Sequence, residues 1–293
     1  MNAVIDTVTV ACVNFEPMIG NKLHTRRKME DVICRAAGKG ANIIVFPETA
    51  LTGYMFSQEN LDEIAETVPG PSSRGLAELA AQLDVYVAYG LVERDQKAAT
   101  VYYNSAAMVG PGSVLGTYRK VHVGAPTELA WCTRGSSFPI FATKYGPIGI
   151  GICYDNYCYP EVARTYALGG ARLLLNPTAF SNFPDTTTGD MLAYYMTTLG
   201  ARSIENKIFV ASANLVGIEM GTAFLGQSVI LGPKRGCSHY YVWGGPAGQD
   251  EEIVMATLDL STPEKLPPPT QNIFRDRRPD TYSLLCEPMG RGS

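Results

Sequence analysis

Gly40-Ala41-Asn42-Ile43-Ile44-Val45-Phe46-Pro47 reads as a turn, a short buried strand and a stop. The apolar run, rich in β-branched residues, is too short for a helix and is bounded by glycine and proline, so it predicts a strand with both faces covered. A later stretch, Gly170-Ala171-Arg172-Leu173-Leu174-Leu175-Asn176-Pro177, has the same form. Both stretches follow a helix and both end in proline. Two similar halves, each a helix-covered sheet, would pack sheet on sheet, which predicts an α/β protein built as a four-layer α-β-β-α sandwich. Convergent composition of strand–helix units produces the same echo without an internal repeat.

The alternation continues on either side. Residues 8–13 read as a buried strand, Asn21 as an N-cap, and Met29, Val32, Ile33, Ala36 and Ala37 recur at helical spacing until Gly38 and Gly40 end the helix. Leu76, Leu79, Ala80 and Leu83 mark a second amphipathic helix. Residues 85–92, 106–109 and 114–118 are expected as strands, as are the apolar runs 148–153 and 173–175. Residues 191–205 have helical periodicity, and 208–213, 227–231 and 253–258 complete the strands. Beyond Leu266 the chain turns Pro-rich and charged, which suggests an ordered tail. No linker interrupts the pattern, so residues 1–282 are expected as one domain and 283–293 as a C-terminal tail.

Composition narrows the function. The chain has 293 residues, of which 46% are hydrophobic and 18% charged, the balance of a soluble globular protein. A chain this long buries a core without staples. The formal charge of -4 gives no basic field for nucleic acid. No apolar run approaches the roughly 18 residues of a membrane span. Met1-Asn2-Ala3-Val4-Ile5-Asp6 lacks the pattern of a signal peptide. Seven cysteines at irregular spacings argue against a disulfide framework, and a reducing cytoplasm is the expected location.

Four blocks carry the chemistry: Phe46-Pro47-Glu48, Tyr118-Arg119-Lys120, Pro126-Thr127-Glu128 and Gly151-Ile152-Cys153-Tyr154-Asp155. Cys153 ends an apolar run, so its thiol is expected at the carboxyl end of a strand, where sites in α/β sheets gather. A lone strand cysteine is more often core filler, but polar residues follow this one at once. Cys12 and Cys34 read as core. Glu48 also follows a buried strand, and partial desolvation there suits a general base. Lys120 would favour a thiolate and hold a developing oxyanion, although an edge-strand lysine is a common surface feature. Glu128 would orient Lys120 or a leaving nitrogen. His122, the imidazole alternative for activating a thiol, reads as a satisfied strand histidine, and Arg119 as structural. Cys132, His122 and Cys153 lack zinc-ligand spacing, and residues 110–116 lack a phosphate-loop lysine.

In order and context these blocks resemble the nitrilase superfamily of carbon–nitrogen hydrolases. The matching stretches are Ile44-Val45-Phe46-Pro47-Glu48-Thr49-Ala50-Leu51-Thr52-Gly53-Tyr54, Tyr118-Arg119-Lys120-Val121-His122 and Gly149-Ile150-Gly151-Ile152-Cys153-Tyr154-Asp155. Arg202-Ser203-Ile204-Glu205-Asn206-Lys207-Ile208-Phe209-Val210, Gly226-Gln227-Ser228 and Arg277-Arg278-Pro279-Asp280-Thr281-Tyr282 extend the resemblance across residues 6–282. It implies that Glu48, Lys120 and Cys153 are the catalytic Glu-Lys-Cys set, with Glu128 as the additional active-site glutamate and the backbone N–H of Tyr154 completing an oxyanion hole. It also implies the same sandwich, a homodimer or larger homo-oligomer, a small-molecule amide substrate and no metal or organic cofactor.

Tyr154-Asp155 after the nucleophile looks more like amidases and carbamoylases than the Trp-Glu of many nitrilases. The segment from Cys153 to Pro160 is one residue longer than the family's usual spacing and lacks an arginine often seen in carbamoyl amino acid hydrolases. Tyr157 and Tyr159, with Tyr54, Trp131 and Phe180, are expected to line an apolar or aromatic pocket. The expected activity is hydrolysis of a small carboxamide to acid and ammonia through a cysteine thioester. Nitrile or N-carbamoyl hydrolysis, acyl transfer to an amine, and a non-catalytic scaffold remain as alternatives.

Overall fold

Along β1 (Thr7–Asn14) the side chains of Val8, Val10 and Cys12 face one way and those of Ala11 and Val13 the other, and both sets are buried. A strand covered on both faces reads as a continuous apolar run, which is what the sequence carries here. The protein is described by a computed structural model that covers residues 4–182, 185–265 and 272–287.

The first half continues with α1 (Lys22–Gly38), β2 (Ile43–Val45), α2 (Leu61–Ile64), α3 (Pro71–Leu83), β3 (Tyr86–Arg94), β4 (Tyr102–Gly110) and β5 (Ser113–Arg119). After the one-turn helix α4 (Pro126–Leu129) come β6 (Phe141–Thr143), β7 (Gly146–Ile150), α5 (Tyr154–Cys158), α6 (Pro160–Leu168), β8 (Leu173–Thr178), α7 (Thr188–Asn206) and β9 (Phe209–Asn214). A small hairpin of β10 (Ile218–Glu219) and β11 (Thr222–Ala223) precedes β12 (Val229–Gly232), β13 (Tyr241–Gly244) and β14 (Glu252–Asp259).

Two six-stranded sheets result, ordered β14-β1-β2-β3-β4-β5 and β13-β12-β9-β8-β7-β6. Three central strands run parallel in each, β1-β2-β3 and β7-β8-β9, flanked by antiparallel neighbours. The two halves therefore match strand for strand, and the quoted echo falls on the corresponding strands β2 and β8. Val10, Val45 and Ala88 of one sheet meet Ile150, Leu175 and Ala211 of the other in a core between the sheets. Helices α1 and α3 cover the outer face of the first sheet, and α6 and α7 that of the second. The α-β-β-α sandwich is as the echo predicts.

Several details differ from the sequence reading. The strand expected over 148–153 stops at Ile150, because the chain turns sharply at Cys153 into α5. Cys34 is exposed on the outer side of α1 and is not core. The short strands β6 and β13 lack a long apolar run and were not legible. The strand 253–258 returns to pair with β1, so the end of the chain closes the first sheet. Of the tail expected beyond Leu266, residues 272–287 are described, and they carry two short 3-10 turns. Residues 266–271 and 288–293 lie outside the described residues. Among the described residues no helix is long and apolar enough to cross a membrane.

Candidate active site

The site forms where the parallel strands of both sheets end. After β2, Phe46 and Pro47 lead the chain out of the sheet and deliver Glu48, which is fully buried. This loop lies directly on β3 at Gly90. A Cβ there would fall 2.1 Å from the Thr49 nitrogen and 2.5 Å from the Pro47 oxygen, so only glycine admits the approach. Thr49 itself is held at φ 48°, a left-handed conformation that non-glycine residues adopt under constraint. From the other half, β8 runs through Pro177 to Thr178, and the next N–H, that of Ala179, donates to Glu48 Oε2 at 2.9 Å. The two echoed strands thus meet tip to tip, and one half supplies the carboxylate that the other half holds.

Lys120 follows β5 and is 1% exposed. Its Nζ donates to Glu48 Oε1 at 2.7 Å and to both oxygens of Glu128 at 2.8 and 2.9 Å. Glu128, on α4, is buried as well. Asn104 on β4 completes the cluster: its Nδ2 donates to Glu48 Oε1 at 2.7 Å and to Glu128 Oε1. Every partner of the Glu48 carboxylate is a donor. A protonated acid would need an acceptor, so this geometry suits the ionised base. Burial pushes the Glu48 carboxyl up from its ordinary value, with Lys120 opposing and Glu128 adding to the rise. Burial alone would lower Lys120, but Glu48 and Glu128 outweigh it and hold the ammonium well above the usual lysine range.

Cys153 sits at the turn between β7 and α5 with φ 49° and ψ -105°. Side chains fix this strained elbow. Asn176 Oδ1 accepts from the Cys153 N–H at 3.1 Å and from Asn156 Nδ2 at 2.7 Å. Asp155, buried, accepts from Ile152 N, Tyr118 Oη, His122 N and His122 Nδ1. Gly151 is needed because a Cβ there would meet the Asn156 carboxamide at 2.7 Å. His122 is therefore a satisfied residue of the elbow, stacked on Tyr159 at 3.6 Å, though in a loop beyond β5 and not within a strand. Nothing among the described residues accepts from the Tyr154 N–H.

Lys120 acts on the Cys153 thiol in the direction that the sequence reading expects, toward the thiolate, but burial outweighs it. Burial pushes it up, Glu48 adds to this, and Lys120 only partly opposes it. Lys120 is itself bonded to two carboxylates. A thiol raised in this way gains from a base as it attacks.

Lys120, Glu128, Cys153 and Tyr154 open onto one cavity of about 420 Å³. Tyr54, Tyr157 and Phe180 line it as expected, and Tyr194 of α7 and Thr222 of β11 do so without having been foreseen. Trp131 is a correction. It does not line the cavity but packs on Phe56 at 5.3 Å, against an apolar cluster of Ile64, Ala65 and Val92 that takes the indole instead. Arg119 pairs with Glu93 at 2.6 Å, a structural role.

Asn104 was not identified from sequence. Its one signal is a polar Asn104-Ser105 pair inside a strand that is otherwise apolar after Tyr103. Asn104→Leu removes donors to two buried carboxylates, each worth about 1.5–3 kcal/mol. We expect kcat to fall about 10- to 100-fold; steady-state kinetics that leave kcat unchanged would show that the amide is dispensable.

Comparison with known proteins adds lineage to this geometry. The carbon-nitrogen hydrolase family matches residues 9–267. A probable nitrilase of Schizosaccharomyces pombe is 34% identical over 283 residues, covering 95% of this chain and 98% of the relative. An omega-amidase of Homo sapiens is 32% identical over 267 residues, covering 86% and 88%. The crystal structure of a carbon-nitrogen hydrolase from Helicobacter pylori superposes with a TM-score of 0.85 at 24% identity, covering 97% of this chain and 99% of that one.

Proposed function

Because the chain belongs to the carbon–nitrogen hydrolase family of the nitrilase superfamily, we propose that it hydrolyses small carboxamides to carboxylic acid and ammonia through a thioester on Cys153. The observation that carries this reading is the buried Glu48–Lys120–Glu128 cluster, whose Lys120 and Glu128 line one cavity together with a strained Cys153.

The steps follow from the contacts. Glu48 takes the Cys153 proton as sulfur attacks the carbonyl carbon, a transfer worth about 10²–10⁴ in rate. The oxyanion is held by the unpartnered Tyr154 N–H and by Lys120, one of whose protons turns from its two-oxygen contact with Glu128. The C–N bond breaks as Glu48 returns its proton to the nitrogen, and ammonia leaves. Glu48 then takes a proton from water, which attacks the thioester carbon; the C–S bond breaks, Glu48 returns that proton to the Cys153 sulfur, and the acid leaves. Glu128 and Asn104 hold the lysine and base in register throughout.

Incubation with an amide panel is expected to release acid and ammonia in equal amounts. Acid from nitriles with none from matched amides would overturn the reading in favour of nitrile hydrolysis, which the name of the S. pombe relative supports. The pH profile carries a second expectation. The base works ionised, so kcat/KM is lost as pH falls through the Glu48 pKa, and burial places that limb above the ordinary glutamate value of 4.5. A limb at or below 4.5 would contradict Glu48 as a desolvated base.

A further inference from the structure

Among the described residues, those lining the cavity include only two charged side chains, Lys120 and Glu128, and these are hydrogen-bonded to each other. Glu48 is bonded to the same ammonium, so two carboxyl groups share one cation, and among the described lining residues no further cation is available. The opposite wall is aromatic. Phe180 and Tyr194 stack with centroids 6.1 Å apart and planes 6° from parallel. Tyr157 packs on Phe180 at 5.0 Å, and its hydroxyl is already spent on Thr178 and Asn176. Tyr54 adds another ring, braced edge-on by Phe224 at 6.0 Å.

We propose that this cavity selects carboxamides whose acyl arm is uncharged and ends in an aromatic ring, and that it rejects anionic arms. The inference rests on the amide-hydrolase reading and adds the substrate class. A phenyl arm gains ring contacts and buries apolar area against this wall. A carboxylate arm loses part of its hydration, finds hydroxyl groups but no free cation among the described lining residues, and meets two carboxyl groups that already share the one ammonium. An ammonium arm loses hydration too, and cation–π contact with the rings offsets part of that. The cavity of about 420 Å³ has room for an arylalkyl group.

The test compares kcat/KM for three amides: 3-phenylpropanamide, succinamate and 4-aminobutanamide. The phenyl compound is expected to exceed succinamate about 10²-fold or more, from the cost of an unpaired buried charge, with the ammonium compound between them. Either charged amide matching or exceeding the phenyl compound overturns the inference. Turnover of none of the three, nor of acetamide, would instead bring down the amidase reading itself. Two variants test the wall directly. Tyr194→Ala is expected to lower kcat/KM for the phenyl amide about 10-fold more than for acetamide, and Tyr194→Phe to restore the ratio. Tyr194→Arg supplies the missing cation and is expected to raise succinamate kcat/KM at least about 10-fold; no change in that ratio counts against the charge argument.

Discussion

Cys153→Ala is expected to lower kcat by about 10⁴- to 10⁶-fold, the range seen when a nucleophile acting as part of a unit is removed. The expectation comes from how the elbow is built. Its fixed points are the Asn176 and Asp155 hydrogen bonds to main-chain N–H groups, and none of these uses the sulfur. The turn therefore survives the substitution while the reacting atom is lost. Circular dichroism and the melting temperature are expected to stay close to those of the parent protein. Cys153→Ser keeps the shape, but a hydroxyl is far less acidic than a thiol and a weaker nucleophile, so turnover is expected to fall here too. Appreciable turnover by the alanine variant would remove the thioester from the account.

Lys120→Met is expected to cost about 3–5 kcal/mol of stability in addition to activity, because removing one partner of a buried ion pair strands the others. Glu48 and Glu128 are 0% and 2% exposed, and without the ammonium they face each other with only Asn104 and the Ala179 N–H as donors. Without the opposing ammonium, Glu48 would rise further toward protonation and cease to be a base. Lys120→Met combined with Glu128→Gln is expected to regain part of the lost stability, since one stranded charge is gone, yet to recover no activity. A single variant as stable as the parent in chemical denaturation would show that the cluster is not held as one ionic unit.

Much of this arrangement was legible before any coordinates. The echo of residues 40–47 at 170–177 located β2 and β8, because buried parallel strands need apolar residues on both faces and proline stops them. Glu48, Lys120 and Cys153 stand directly after strands or close by, where a sequence marks strand ends clearly. Asn104 escaped because it lies within β4, where a polar residue is visible but its partners are not: Glu48 is 56 residues away and meets it only across the sheet. The partners of Lys120 are hidden from the sequence in the same way. A lysine near a cysteine argues for thiolate, and only the fold shows two carboxylates already consuming the lysine's charge. Trp131 fails differently, since an aromatic residue near a site has an apolar neighbour to choose, and it chose Phe56.

The central claim is that Cys153 carries the acyl group. Acid-quenched turnover of 3-phenylpropanamide, followed by peptide mass spectrometry, tests it most directly. The expected result is a hydroxylamine-sensitive phenylpropanoyl adduct on the peptide containing Cys153, assigned to that sulfur by fragmentation and absent in Cys153→Ala. Turnover with no adduct there, or with the acyl group on Cys158 of the same cavity wall, would contradict it.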